Sequence, residues 1–297
     1  MSCPKEILVQ AYLESCALDV EAFKPGNVSV HSPGYGMQAD DFIISAEVSA
    51  PFVCDPGLSL GEKIYRAATA SFKEVGCNTN LGIILMAAPL MEAVQTYECG
   101  TLRSHVEKKL RHTTREDAAW VYRAIREIQP GGLGKVKAED VSQAPTVTLY
   151  EAMKLAKNHD RVAYNYTFSY EDIYIRGITG YHKAVYRWGD ERWATLAIFV
   201  SLLRQIPDTH IERKFGKRYT RMIQTEMARL EETLFETADP EKVVPEIREI
   251  DERFKKAGIN PGTTADLTVA SLLAVRLEKL TTLLVKESDG VAGERTP

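Results

Sequence analysis

The sequence has almost nothing that reads as a β-strand: alternating β-branched runs of strand length are nearly absent from its 297 residues. It also lacks any apolar run of about eighteen residues, the length a membrane-spanning helix needs, so no membrane partner is expected. No basic-then-apolar segment opens the chain, and the expectation is a cytoplasmic protein. Cysteines are few: Cys3, Cys16, Cys54, Cys77 and Cys99 are odd in number and form no CxxC pair, which reads as reduced, mostly buried thiols. Several catalytic signatures are missing. Without HExxH or a Cys/His cluster a zinc enzyme is disfavoured, and without GxSxG so is a serine hydrolase of that class. The stretch "PGGLGK" (130–135) looks like a phosphate loop but has neither the GKS/T ending nor a preceding strand, and no GxGxxG sits between strand and helix. His112 and His159 have no partner at metal spacing and read as surface residues; for His31 in its loop, a substrate contact and plain solvation both stay open. The net charge of −4 excludes a generic polyanion-binding surface, so no nucleic acid is expected and any phosphate site must be local or use a metal.

Helical periodicity fills the space that strands leave. Residues 5–22 put Ile7, Leu8, Ala11, Tyr12, Ser15 and Leu18 on one face, and 60–76 do the same with Ile64, Ala67, Ala68 and Phe72. "LGIILMAAPLMEAV" (81–94) is apolar on nearly every face and reads as a central buried helix, bent by Pro89. Thr113 and Glu116 have capping-box spacing ahead of another helix. Further helices are expected over 146–159, 193–206, 213–237, 240–257 and 263–286. The expected fold is all-α: one catalytic domain over 1–287, a multi-helix bundle with its site at helix ends and connecting loops. A disordered tail is expected over 288–297.

Unusual residues concentrate in the corners: "KPGN" (24–27), "GCNTN" (76–80), "PGGLG" (130–134), "NHDRVAYNY" (158–166), "PDTHIERKFG" (207–216) and "INPGTTAD" (259–266). Any one of them alone is ordinary turn chemistry. Together they supply Asp160, Asp208 and Asp266, each with a polar or cationic escort. Hard carboxylate ligands beside cations suit Mg²⁺ shared with substrate phosphates, so these three are the candidate metal ligands and catalytic residues. Lys24, Arg213 and Lys214 are candidate phosphate contacts in one cleft, with Asn27, Asn78, Thr79, Asn80 and His210 lining it. At the last corner Asn260 is expected to cap a helix, while Gly262, Thr263 and Thr264 present N–H and hydroxyl groups to phosphate.

At these corners the chain resembles the CitG/MdcB family, the triphosphoribosyl-dephospho-CoA synthases. The matching stretches are "FKPGN" (23–27), "GCNTNLGIILMAAPL" (76–90), "EDAAWVYRAIREIQPGGLGKV" (116–136), "TLYEAMKLAKNHDRVAYNY" (148–166), "PDTHIERKFG" (207–216) and "NPGTTADL" (260–267). They run in family order through nearly the whole chain. The resemblance implies an all-α transferase with ATP as donor. The 2′-hydroxyl of 3′-dephospho-CoA attacks C1′ of the ATP ribose, adenine leaves, and the triphosphate is kept. This is glycosyl transfer, so a carboxylate can stabilise the cation developing on the ribose while Mg²⁺ and basic groups hold the triphosphate.

The sequence departs from the citrate-operon pattern in two places, reading "NTNLG" where that pattern has "NTHKG" and "VSVHSPGYGM" after "KPGN". "PDTHIERKFG" and "NPGTTADL" are more similar to the branch found in archaea and methylotrophic bacteria. A second reading is therefore phosphoribosyl transfer, from ATP or phosphoribosyl pyrophosphate, to an acceptor of methanopterin-type cofactor synthesis. A third is a non-catalytic nucleotide-binding helical protein, which loss of the carboxylates would have favoured.

Overall fold

The computed structural model describes residues 3–130 and 139–293, with side chains through Leu283. Among the described residues the chain is all-α, with no strand beyond two isolated bridges, Ser29 to Ser32 and Gly34 to Met37. The helices are α1 (Lys5–Glu21), α2 (Ala39–Val53), α3 (Leu60–Val75), α4 (Leu81–Gln95), α5 (Leu102–Arg111), α6 (Arg115–Ile128) and α7 (Leu149–Ala156). After them come α8 (Arg161–Thr167), a π-helical turn (Asp172–Gly177), α9 (Ile178–Trp188), α10 (Glu191–Gln205) and α11 (Thr209–Phe215). The chain continues through α12 (Thr220–Glu236), α13 (Val244–Lys256) and α14 (Gly262–Gly293).

A helix that is apolar all round belongs in the middle of a protein, and three such helices form the centre here. α4 buries every residue from Ile83 to Met91, α10 buries Ala194 to Val200, and α14 buries Leu267 to Val275. α14 is the hub: it packs on α1, α4, α9, α10 and the π-turn. Its polar core positions are satisfied locally, since Thr268 Oγ1 donates to the Thr264 carbonyl and Ser271 Oγ to the Leu267 carbonyl, both at 2.8 Å. Most of the buried apolar side chains form one cluster running from Cys3 to Leu277.

The expected helices at 5–22, 60–76 and 81–94 appear as α1, α3 and α4, and Pro89 lies inside α4. Other expectations shift. The capping box is Thr114 with Asp117, one residue later than its sequence spacing indicated, because Thr113 turns back to donate to the Leu110 carbonyl at 2.8 Å. The helix expected over 213–237 is two, α11 and α12. Gly216, at φ +59°, ends the first of them. α2, α5, and the helices between Arg161 and Trp188 had no counterpart in the periodicity reading. The expected tail begins as a continuation of α14 to Gly293, and 294–297 lie outside the described residues, as do 131–138 with most of the "PGGLG" corner. Among the described residues no helix is long and apolar enough to cross a membrane.

"KPGN" docks the start of the chain onto the loop that feeds α14. Gly26, at φ +78°, puts its backbone against α13, where an added Cβ would meet Phe254 Cδ2 at 2.9 Å and the Ile259 carbonyl at 3.0 Å. Its N–H donates to Asp251 Oδ1 at 2.8 Å, Tyr35 Oη donates to the Ile259 carbonyl at 2.5 Å, and Asn27 Nδ2 donates to Asn260 Oδ1 at 3.3 Å. "KPGN" and "INPGTTAD", the first and last corners of the sequence, are therefore one structural unit.

Candidate active site

Four helices begin around one corner. The α8 start is tied to α11 by the Arg161 N–H, which donates to Thr209 Oγ1 at 3.2 Å. Thr209 Oγ1 is in turn 3.2 Å from Thr263 Oγ1, which also accepts the His210 N–H at 3.1 Å, so α11 is tied to α14. Asp208 serves both of these helices. Its Oδ1 caps α11 by accepting the Ile211 N–H at 3.0 Å, and its Oδ2 accepts both the N–H and the hydroxyl of Thr264 at 2.8 Å each. A single buried carboxylate thereby fills the unpaired donors of two helix starts.

The fourth helix, α4, meets this group through Asp266. One turn into α14, its carboxylate occupies the space that Gly82 leaves in the first turn of α4: a Cβ at Gly82 would fall 2.0 Å from Asp266 Oδ2. Asp266 makes no hydrogen bond or ion pair among the described residues. Its pKa is raised well above the ordinary 3.8, first by desolvation and then by the charges of Asp208, Asp19 and Asp160, with Arg213 opposing. The three carboxylates singled out in the sequence thus feel one another, but only Asp266 is unpartnered. Asp160 caps α8 through Oδ1, which accepts the Ala163 N–H at 2.9 Å, and pairs through Oδ2 with Arg213 Nη1 at 2.9 Å. No group of three or more His, Cys, Asp or Glu side chains stands ready to hold a metal ion among the described residues.

The remaining sequence candidates divide. Arg213 reaches the corner and leaves its buried Nε without a hydrogen-bond partner among the described residues. The His210 ring packs on Gly262, where a Cβ would lie 3.0 Å from Nδ1; burial, with Arg213 and Lys214 adding to it, pulls the His210 pKa below 6.5 against Asp208, so the ring is neutral at neutral pH. Gly262 therefore makes room for a histidine, where the sequence reading had a ligand approaching. The donors expected to hold phosphate are engaged inside the protein: the Gly262 N–H donates to the Asn260 carbonyl at 2.9 Å, and Thr263 and Thr264 are buried in the bonds given above. Thr79 and Asn80 do not line a cleft. Both are buried, Thr79 Oγ1 against Ser45 Oγ at 2.5 Å and Asn80 Nδ2 against the Ser45 carbonyl at 3.2 Å and Ser49 Oγ at 3.3 Å. Asn78 is exposed and accepts the Leu81 N–H at 3.2 Å, while Lys214 is exposed and donates to the Gly258 carbonyl at 3.2 Å.

Lys24 is the largest departure. It is fully buried, donates to the Asp19 carbonyl and pairs with Asp19 Oδ1 at 2.8 Å, so its ammonium does not face a cleft. Burial pushes the Lys24 pKa down and that of Asp19 up, while the pairing opposes both shifts. Asp19 lies inside α1, away from the corners, yet the sequence carries a signal for it: it falls on the helical face of Leu8, Tyr12 and Ser15, where an acid is out of place. A second missed group is Asp172 in the π-turn. Fully buried, it accepts from Arg161 Nε at 2.7 Å and Nη2 at 2.8 Å, Arg176 Nη1 at 2.9 Å and Asn165 Nδ2 at 2.9 Å, fixing the arginine that follows Asp160.

The corner thus gathers Asp208, Asp160 and the unpartnered Asp266 at the starts of four helices, with Arg213 paired to Asp160 at its edge. A profile of the CitG family, ATP:dephospho-CoA triphosphoribosyl transferase, matches residues 5–284. The chain belongs to that family and is a transferase. It shares its fold with a crystal structure from Archaeoglobus fulgidus, described as that of a candidate triphosphoribosyl-dephospho-CoA synthase. The likeness has a TM-score of 0.59 at 24% identity, over 78% of this chain and 96% of that one. A search of curated proteins found no match.

Proposed function

We propose that the chain transfers the triphosphoribosyl group of ATP to 3′-dephospho-CoA at this corner, with Asp266 as the general base. The unpartnered carboxylate of Asp266, held against α4 in the field of Asp208, Asp19 and Asp160, is the observation that carries this reading. The bond from C1′ to adenine breaks with its electron pair going to adenine, which takes up a proton from solvent; a bond from the acceptor 2′-oxygen to C1′ forms, and the hydroxyl proton passes to Asp266. Its raised pKa makes it a stronger base than a solvated carboxylate, and positioned general bases contribute on the order of 10²–10⁴ in rate. Asp208 and Asp160 add negative potential where the ribose turns cationic.

The donor triphosphate falls to Arg213, whose Nη1 is shared with Asp160 and whose Nε is unclaimed. Asp160 is the carboxylate suited to Mg²⁺, because its Oδ2 is held only by a part-exposed arginine while both Asp208 oxygens are committed to backbone. When bound, Mg²⁺ neutralises charge on the triphosphate. Arg213→Ala should raise the KM for ATP roughly tenfold with little change in kcat, the signature of lost ground-state binding. Titration with EDTA should raise the same KM. An unchanged KM for ATP in both experiments removes Arg213 and the metal from the donor site.

A further inference from the structure

We infer that Gly82 is a positioning residue for the reaction: its missing side chain is the seat that holds the Asp266 carboxylate in its working orientation. The inference rests on reading Asp266 as the reacting carboxylate. Around the position a Cβ would take at Gly82, Asp266 Oδ2 lies at 2.0 Å, Cγ at 2.3 Å and Oδ1 at 2.8 Å, so the whole carboxylate fills the glycine's place. No hydrogen bond or ion pair holds Asp266 among the described residues, which leaves this steric seat, and the positive end of α4 behind it, to fix where the group points.

The seat is itself braced. Thr79 and Asn80, just ahead of α4, are pinned to α2 through Ser45 and Ser49, and Ser49 Oγ is 3.0 Å from Tyr12 Oη on α1. This gives the buried asparagine and threonine of "NTNLG" a task other than ligand contact: they set the depth at which the first turn of α4 meets α14. The colliding atoms are the end of a short side chain, not backbone. A methyl group at position 82 therefore turns the carboxylate aside into an off-rotamer orientation without separating the helices.

The test is a double-mutant cycle of Gly82→Ala and Asp266→Ala, read as kcat, KM for ATP and Tm. Gly82→Ala should lose roughly 100-fold in kcat, the expected consequence of an ångström-scale misplacement, with KM for ATP within about threefold of wild type. In the Asp266→Ala background the same change should cost no further activity, and its effect on Tm should vanish because the space is empty. Wild-type kcat in Gly82→Ala overturns the inference. So does a Tm loss equal in both backgrounds, which makes Gly82 a packing residue of α4. If Asp266→Ala keeps full activity while the Tm effects are non-additive, the seat stands as geometry and its catalytic role falls with the proposed function.

Discussion

Asp266→Asn should abolish turnover and stabilise the protein at the same time. Removing the base is expected to lower kcat by roughly 10²–10⁴. The stability gain follows from the direction of the pKa shift. In the fold the Asp266 carboxyl titrates well above its ordinary 3.8, so ionising it costs folded-state free energy that the unfolded chain does not bear. Below pH 3.8 the group is protonated in both states and the penalty is absent. The penalty grows as pH rises from there towards the folded pKa and is complete above it. Asparagine carries no charge at any of these values. The Tm of Asp266→Asn should therefore exceed that of wild type at pH 8, and the difference should close as the pH is brought below about 4. Paired thermal melts across that range check it; a variant less stable than wild type at pH 8 contradicts the electrostatic account. A gain in stability on losing a catalytic group is the pattern expected where a site carries strain for function.

The second large effect is on Asp208, and it is structural first. Asp208→Ala removes the cap of α11 and leaves the buried Thr264 N–H and hydroxyl without their acceptor. A lost cap costs about 0.5–2 kcal/mol and an unsatisfied buried donor about 1–3 kcal/mol. Together these predict a destabilisation of about 1.5–5 kcal/mol, and a fall in Tm on the order of 5–10 °C. Asp208→Asn should sit between, since one amide oxygen remains to accept and the nitrogen offers donors where an acceptor is needed. Because the Asp208 charge also raises the Asp266 pKa, both variants should move the pH limb of any remaining activity downwards. Equal Tm for Asp208→Ala and wild type shows that α11 and α14 are not joined through this carboxylate.

The helices that the sequence showed best are those whose burial is one-sided or complete. α3 carries a clear stripe and α4 is apolar all round, whereas α1 has a weaker pattern and buries a face that starts at Leu8 and leaves Ile7 exposed. α2 stayed hidden behind its β-branched residues and Pro51, and α5 behind a run of charge with only Leu102, Val106 and Leu110 buried. The π-turn interrupts the register between α8 and α9, so no single period fits 161–188. At the site, the corner residues were legible as a set because Asn, Thr and Asp cluster where helices end. Which aspartate is free was not legible, because that depends on partners elsewhere in the chain. Thr264 takes both lone-pair sides of one Asp208 oxygen from 56 residues away, and Arg213 takes Asp160 from 53. The local cap is the same short pattern in both, and only packing tells a committed carboxylate from an open one. Lys24 illustrates the converse. A lysine beside a Pro-Gly corner looks solvent-facing until α1 turns out to place Asp19 over it.

The reading of Asp266 as the base of a triphosphoribosyl transfer is tested most directly by free adenine. Purified wild type and Asp266→Asn are incubated with ATP and Mg²⁺, with and without 3′-dephospho-CoA, and adenine is quantified alongside the coupled product. The account predicts adenine from wild type in a one-to-one ratio with product, dependent on the acceptor, and none above background from a folded Asp266→Asn. Adenine released at the wild-type rate by Asp266→Asn contradicts it. So does a wild type that leaves ATP intact but consumes phosphoribosyl pyrophosphate with another acceptor.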